Sequence, residues 1–142
     1  MATFLKCCGS TKWARQMANV NGEDVFAAAG RIWWSLERED WLEAFGAHPK
    51  IGENSDSKFS QQEQTGTSGA SNEILAELRD ANLAYAQKFG YIFIVCATGK
   101  TAEEMLALLN QRMGNDPETE LRIAAAEQLR ITHLRLEKLL SS

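Results

Sequence analysis

Apolar positions along this chain recur at helical spacing almost from end to end. Trp13 and Met17 stand one helical turn apart, behind Ser10 or Thr11 as a candidate N-cap. Val25, Phe26, Ala29, Ile32, Trp33 and Leu36 fall on one stripe, which predicts a helix from about Gly22 to Leu36. Glu39 to Phe45 reads as a short helix with Trp41, Leu42 and Phe45 on its apolar side. Residues 46–58 are punctuated by Gly46, Pro49 and Gly52 and read as loop, and Ser60 then opens another short helix. Ser71 to Phe89 carries Ile74, Leu75, Leu78, Ala81 and Tyr85 on a long helix that Gly90 is placed to end. Thr101 and Glu104 form a capping box ahead of a helix over 102–113. Asp116 and Pro117 start a last helix that runs to about Leu140.

One stretch breaks the helical period. Tyr91 to Cys96 has the composition of a strand, yet nothing else in the chain offers a strand to pair with it. It is expected to be a buried extended segment or the start of a helix. At 142 residues the chain is long enough for one domain with a real core. The expected fold is all-α: a single-domain multi-helix bundle over 1–142 with a short extended segment around residues 91–96.

Composition narrows the function classes. Hydrophobic residues make up 44% and charged residues 24%, ordinary values for a soluble globular protein. Against 19 acidic side chains stand 15 basic ones, unclustered, which argues against nucleic acid as a partner. The longest apolar run, Tyr91 to Ala97, is core-sized and far short of the ~20 residues of a membrane span. The first residues carry one lysine and few apolar side chains, unlike a signal peptide, and the final Leu-Leu-Ser-Ser is no peroxisomal address. Cys7, Cys8 and Cys96 contain no Cys-x-x-Cys and read as reduced thiols, so the expected setting is the cytoplasm. Two histidines without His-x-x-x-His supply no metal ligand set.

The chemistry-bearing residues cluster in one stretch. His48 precedes Pro49, whose ring disfavours the α region for the residue before it, so His48 is held off any helix. An imidazole gives or takes protons near neutrality. Alternatively, His48 is a loop histidine bonded to a backbone carbonyl. Ser60-x-x-Glu63 is a capping box by spacing, and Glu63 is also placed to orient His48. Gln64 carries a donor and an acceptor on one amide, suited to a ureido or lactam edge, or is a solvated helix residue. Arg135 has Ile131 and Leu139 as its neighbours one turn away, and either snorkels outward or meets an anion. His133 and Glu137 read as a solvated pair. Ala97-Thr-Gly-Lys-Thr101 has the look of a phosphate loop but lacks the first glycine, since Ile94 stands there, so it reads as a turn before a capped helix.

The joint pattern is more specific than its parts. Cys7-Cys8-Gly9-Ser10 with Trp13-Ala14, His48-Pro-Lys-Ile-Gly52, Ser60-x-x-Glu63-Gln64, Lys88-Phe-Gly90, Phe93-Ile-Val-Cys-Ala97, Gly99-Lys100, Asn115, and Ile131 with Arg135-Leu136 occur in one order. In that order and spacing the chain resembles the 2-oxo-4-hydroxy-4-carboxy-5-ureidoimidazoline (OHCU) decarboxylases of urate breakdown. The resemblance implies His48 as the catalytic histidine, Glu63 as its acidic partner, and Pro49 as the residue shaping the pocket beside it. It further implies substrate binding by Ser60, Gln64, Arg135 and the backbone of Phe93, Ile94 and Val95. It implies a small-molecule substrate (OHCU), no cofactor, and a homodimer. Two features depart from the family pattern: the loop from Gly52 to Phe59 is short, and the helix that usually precedes the Cys-Cys-Gly-Ser motif is missing or trimmed. The competing readings are a decarboxylase of another cyclic ureide and a non-catalytic helical interaction module.

Overall fold

A computed structural model describes residues 2–48 and 71–141. Seven helices lie among the described residues: α1 (Ala2–Cys7), α2 (Thr11–Ala18), α3 (Val25–Ser35), α4 (Arg38–Gly46), α5 (Asn72–Phe89), α6 (Ala102–Arg112) and α7 (Pro117–Ser141). No strand occurs among them, so the all-α expectation holds. The loop through residue 58 and the short helix expected from Ser60 fall on 49–70, outside the described residues apart from the loop's first positions.

The chain divides into two compact units, Met1–Ala47 with Ala125–Ser142, and His48–Ala124. In the first, α2 packs on α1, α3 and α4 around three buried indoles, Trp13, Trp33 and Trp41. Each indole N–H donates to a backbone carbonyl: Trp13 to Ala29 at 3.2 Å, Trp33 to Ala125 at 2.9 Å, Trp41 to Trp33 at 3.0 Å. The core thus takes large aromatic rings without stranding their polar edge. The sequence stripe is correct for α3, although the helix starts later than Gly22. Asp24 is the N-cap, accepting the Ala27 N–H at 3.0 Å, and Gly22 has φ 74. A six-residue helix, α1, ends on the first cysteine of the Cys-Cys-Gly-Ser motif, which excludes the missing helix of the two expectations.

In the second unit α5 packs on α6. Ser71 caps α5, and Gly90, at φ 86, closes it with an N–H bond to Ala86. The capping box of α6 is present in both directions, Glu104 N–H to Thr101 and Thr101 N–H to Glu104, each 3.1 Å. Gly99, at φ 78, makes the turn ahead of it, as expected for Ala97-Thr-Gly-Lys-Thr101. Between α5 and α6, residues 92–97 are neither helix nor strand. Phe93, Val95 and Ala97 join Leu78, Tyr85, Phe89, Met105 and Leu109 in one apolar cluster. Of the two options left open by the sequence, the helix start is excluded.

Candidate functional site

His48 follows α4 directly. The helix closes on Ala47, whose N–H reaches Ala44 and Phe45, and the half-buried imidazole comes next. The Cys7-Cys8-Gly9-Ser10 stretch supports this helix end. A Cβ on Gly9 would lie 2.5 Å from the Ala47 Cβ, closer than real side chains approach, so only glycine fits there. Ser10 is fully buried and caps α2, accepting the Trp13 N–H at 3.2 Å. Thr11 ties α2 to α4: its N–H and hydroxyl donate to the two Glu43 carboxylate oxygens at 2.9 and 2.6 Å. The motif is therefore a local brace for the C-terminal end of α4. Pro49, Ser60, Glu63 and Gln64 lie outside the described residues.

Arg135 is buried in α7 and does not snorkel. Its Nη1 donates to the carbonyls of Lys6 and Cys7, at 3.3 and 3.4 Å. Those carbonyls end α1, where helical peptides lack partners and a cation is favoured. The adjoining Cys8 thiol is pushed up to about 11, chiefly by burial. His133 is not the solvated half of a pair with Glu137. Its ring meets Phe26 edge-on at 5.9 Å, and its buried Nε2 has no hydrogen-bond partner among the described residues.

Phe93, Ile94 and Val95 are all buried. The Ile94 carbonyl accepts from Arg112 Nη1 at 2.7 Å, and the same guanidinium lies over the Phe93 ring, 4.4 Å from its centroid. The carbonyl of Cys96 accepts from Lys100 Nζ at 2.6 Å. By contrast, the peptide groups of Phe93 and Val95 form no hydrogen bond with another described residue. A buried peptide group is costly unless something pairs with it, so this stretch is suited to bind a polar ligand edge.

Arg112 is itself held by Glu120, which is fully buried. Arg112 Nε lies 3.0 Å and Nη2 2.5 Å from Glu120 Oε2, Asn115 Nδ2 donates to Oε1 at 3.1 Å, and the Tyr85 hydroxyl donates to Oε2. Burial and that bond push the Tyr85 phenol well above its ordinary value. Sequence reasoning passed over Arg112 and Glu120. The signal was present: Ala102, Met105 and Leu109 form the buried stripe of α6, and Arg112 continues it at the same spacing.

Comparison with known proteins gives a consistent family. The family model described as OHCU decarboxylase matches residues 1–137. The chain is 44% identical over 147 residues to the uric acid degradation bifunctional protein TTL of Arabidopsis thaliana, covering 95% of this chain and 45% of that one. It is 35% identical over 65 residues to the 2-oxo-4-hydroxy-4-carboxy-5-ureidoimidazoline decarboxylase of Amia calva, covering 46% of this chain and 37% of that one. In these alignments the chain spans less than half the length of either relative. A crystal structure of an OHCU decarboxylase in the presence of (S)-allantoin is similar at TM-score 0.90 and 42% identity, over 98% of this chain and 97% of that chain.

Proposed function

This chain belongs to the OHCU decarboxylase family, and on that footing we propose that it converts 2-oxo-4-hydroxy-4-carboxy-5-ureidoimidazoline to (S)-allantoin and carbon dioxide as a step of urate breakdown. The observation that carries this reading is the likeness, across nearly the whole of both chains, to an OHCU decarboxylase whose structure was determined with (S)-allantoin. The match over residues 1–137 enters both compact units, which supports treating the chain as one functional domain.

The substrate ring stores the electrons itself. When the carbon–carboxylate bond breaks, its pair forms a ring carbon–carbon double bond, and the π pair of the neighbouring carbon–nitrogen double bond moves onto the nitrogen, which takes up a proton. The ureido-bearing carbon then gains a proton while the ring hydroxyl gives one up. A group that accepts the pair is thus built into the substrate, and the protein's tasks are placement and proton delivery. In this reading His48 engages the carboxylate or the adjacent hydroxyl and moves the proton, and Glu63 orients its imidazole. Arg135 and Gln64 clamp polar edges of the substrate, Ser60 adds a hydroxyl, and Pro49 shapes the wall beside His48. A guanidinium has five donors, so Arg135 can serve the α1 carbonyls and a carboxylate together. The open peptide groups of the 93–95 segment take the ureido end.

The test is optical. Substrate generated in situ decays on its own to racemic allantoin, so circular dichroism separates enzymatic from spontaneous product. The wild-type chain is expected to give one enantiomer, and His48→Ala to lose on the order of 10²–10⁴-fold in rate. Racemic product at the spontaneous rate from the wild-type chain overturns the function. One enantiomer at the wild-type rate from His48→Ala overturns the role of His48.

The same reading carries a homodimer and a cytoplasmic setting. An interface between copies would cover large apolar side chains such as Trp34, Leu83 or Leu140, which are 45%, 47% and 63% exposed. A monomer mass by light scattering at working concentration overturns the dimer and leaves the chemistry standing.

A further inference from the structure

We propose that Arg112, locked by Glu120, is a positioning residue: it sets the height and orientation of the 93–95 peptide groups that receive the substrate. The proposal rests on the reading that this segment binds the ureido end. Among the described residues no strand lies beside 92–97, so no sheet formed by them fixes this backbone. What fixes it is a side chain. The Arg112 guanidinium donates through Nη1 to Ile94 O at 2.7 Å, stacks on the preceding Phe93 ring at 4.4 Å, and turns its Nε–Nη2 edge to Glu120. One guanidinium therefore contacts the segment twice, at the Ile94 carbonyl and over the Phe93 ring, and Ile94 lies between the two residues whose peptide groups have no partner among the described residues.

Glu120 makes the clamp rigid. It is fully buried and gathers Arg112, Tyr85 and Asn115 around its two oxygens. A buried ion pair is a poor source of stability, because desolvation consumes most of the attraction, and apolar side chains of equal volume often do as well. Its advantage is direction: a forked donor held on one edge can present its third nitrogen at one place only. A lysine has a single nitrogen and cannot hold Glu120 and Ile94 O in this way.

The experiment measures substrate KM, kcat and the dissociation constant of (S)-allantoin for the full chain, together with thermal midpoints. Arg112→Lys keeps the charge opposite Glu120 and removes the fork. It is expected to raise KM and the (S)-allantoin dissociation constant about tenfold each, with kcat within a few-fold. A merely structural role lowers the folded fraction, which reduces apparent kcat at unchanged KM, so the split separates the two. Tyr85→Phe is the milder second variant, deleting only the hydroxyl that braces Glu120. It carries the test if Arg112→Lys fails to fold, and is expected to raise KM and the dissociation constant by about threefold. A folded Arg112→Lys with wild-type KM and allantoin affinity, or a Tyr85→Phe with both unchanged where the first variant is unfolded, overturns the proposal. Wild-type activity with unaffected variants sinks the positioning role alone. A wild-type chain without activity or allantoin binding sinks the functional reading and this inference with it.

Discussion

At Cys8 a single thiol carries a stability cost that depends on pH. Burial raises it from 9.0 to about 11, so the folded protein keeps the proton after the unfolded chain has released it. Below pH 9 both states are protonated and the contribution is present in full. As pH rises toward 11 the unfolded state gains, and the folded protein should lose on the order of 3 kcal/mol. Denaturant titrations of wild type and Cys8→Ala across that range check this: the variant should be flatter between pH 9 and 11 even if weaker at neutrality. Tyr85, also raised by burial, adds a further loss above its own ordinary range. Gly9 gives a second prediction at this scale. Gly9→Ala drives a methyl against Ala47, 2.5 Å away, and α4 must shift where it hands over to His48. The expected result is a lower kcat together with a thermal midpoint several degrees lower, read by the chiral assay and by melting. The sequence singled out His48 because a residue before proline is disfavoured in the α region, and His48 does lie beyond the end of α4. It gave no sign that Arg135 also bonds the last carbonyls of α1, because six residues are too few to display a helical period.

Among the elements, the helices with local punctuation were the legible ones. Asp116, Thr101 and Ser71 mark helix starts through side-chain bonds to nearby N–H groups, and Gly90 marks an end through its left-handed backbone. These are interactions over three or four residues, so the sequence displays them. Removing one has a calculable effect: Thr101→Ala should cost about 1 kcal/mol, seen as a lower denaturant midpoint at unchanged slope. Helix α1 was missed because six residues have no periodicity to read, and its closure comes from Arg135, 128 positions beyond Cys7. The 91–97 segment was half legible. Its strand-like composition reflects burial, with Phe93 and Val95 in the core, while among the described residues its carbonyls accept from the Arg112 side chain and from the side chain and N–H of Lys100. A strand-like composition therefore need not mean a ladder.

For the whole molecule, the proposed activity has a thermodynamic counterpart. A ligand that binds only the folded chain stabilises it by mass action. Saturating (S)-allantoin at 100 times its dissociation constant should add about 2.7 kcal/mol, visible as a rise in melting temperature that an interaction module would not show. Joint order of motifs, more than any one residue, was what the sequence offered at this scale. The buried triad of Arg112, Glu120 and Tyr85 stayed hidden because its members lie on three helices or helix ends that only folding assembles. The cysteines lead further. Cys7 and Cys8 are sealed in one compact unit and Cys96 in the other, each 6% exposed or less. A thiol reagent therefore finds no ready target in the native chain and must wait for an opening. Peptide mapping of which sulfur is modified first would tell which unit breathes sooner, with no probe added to the sequence.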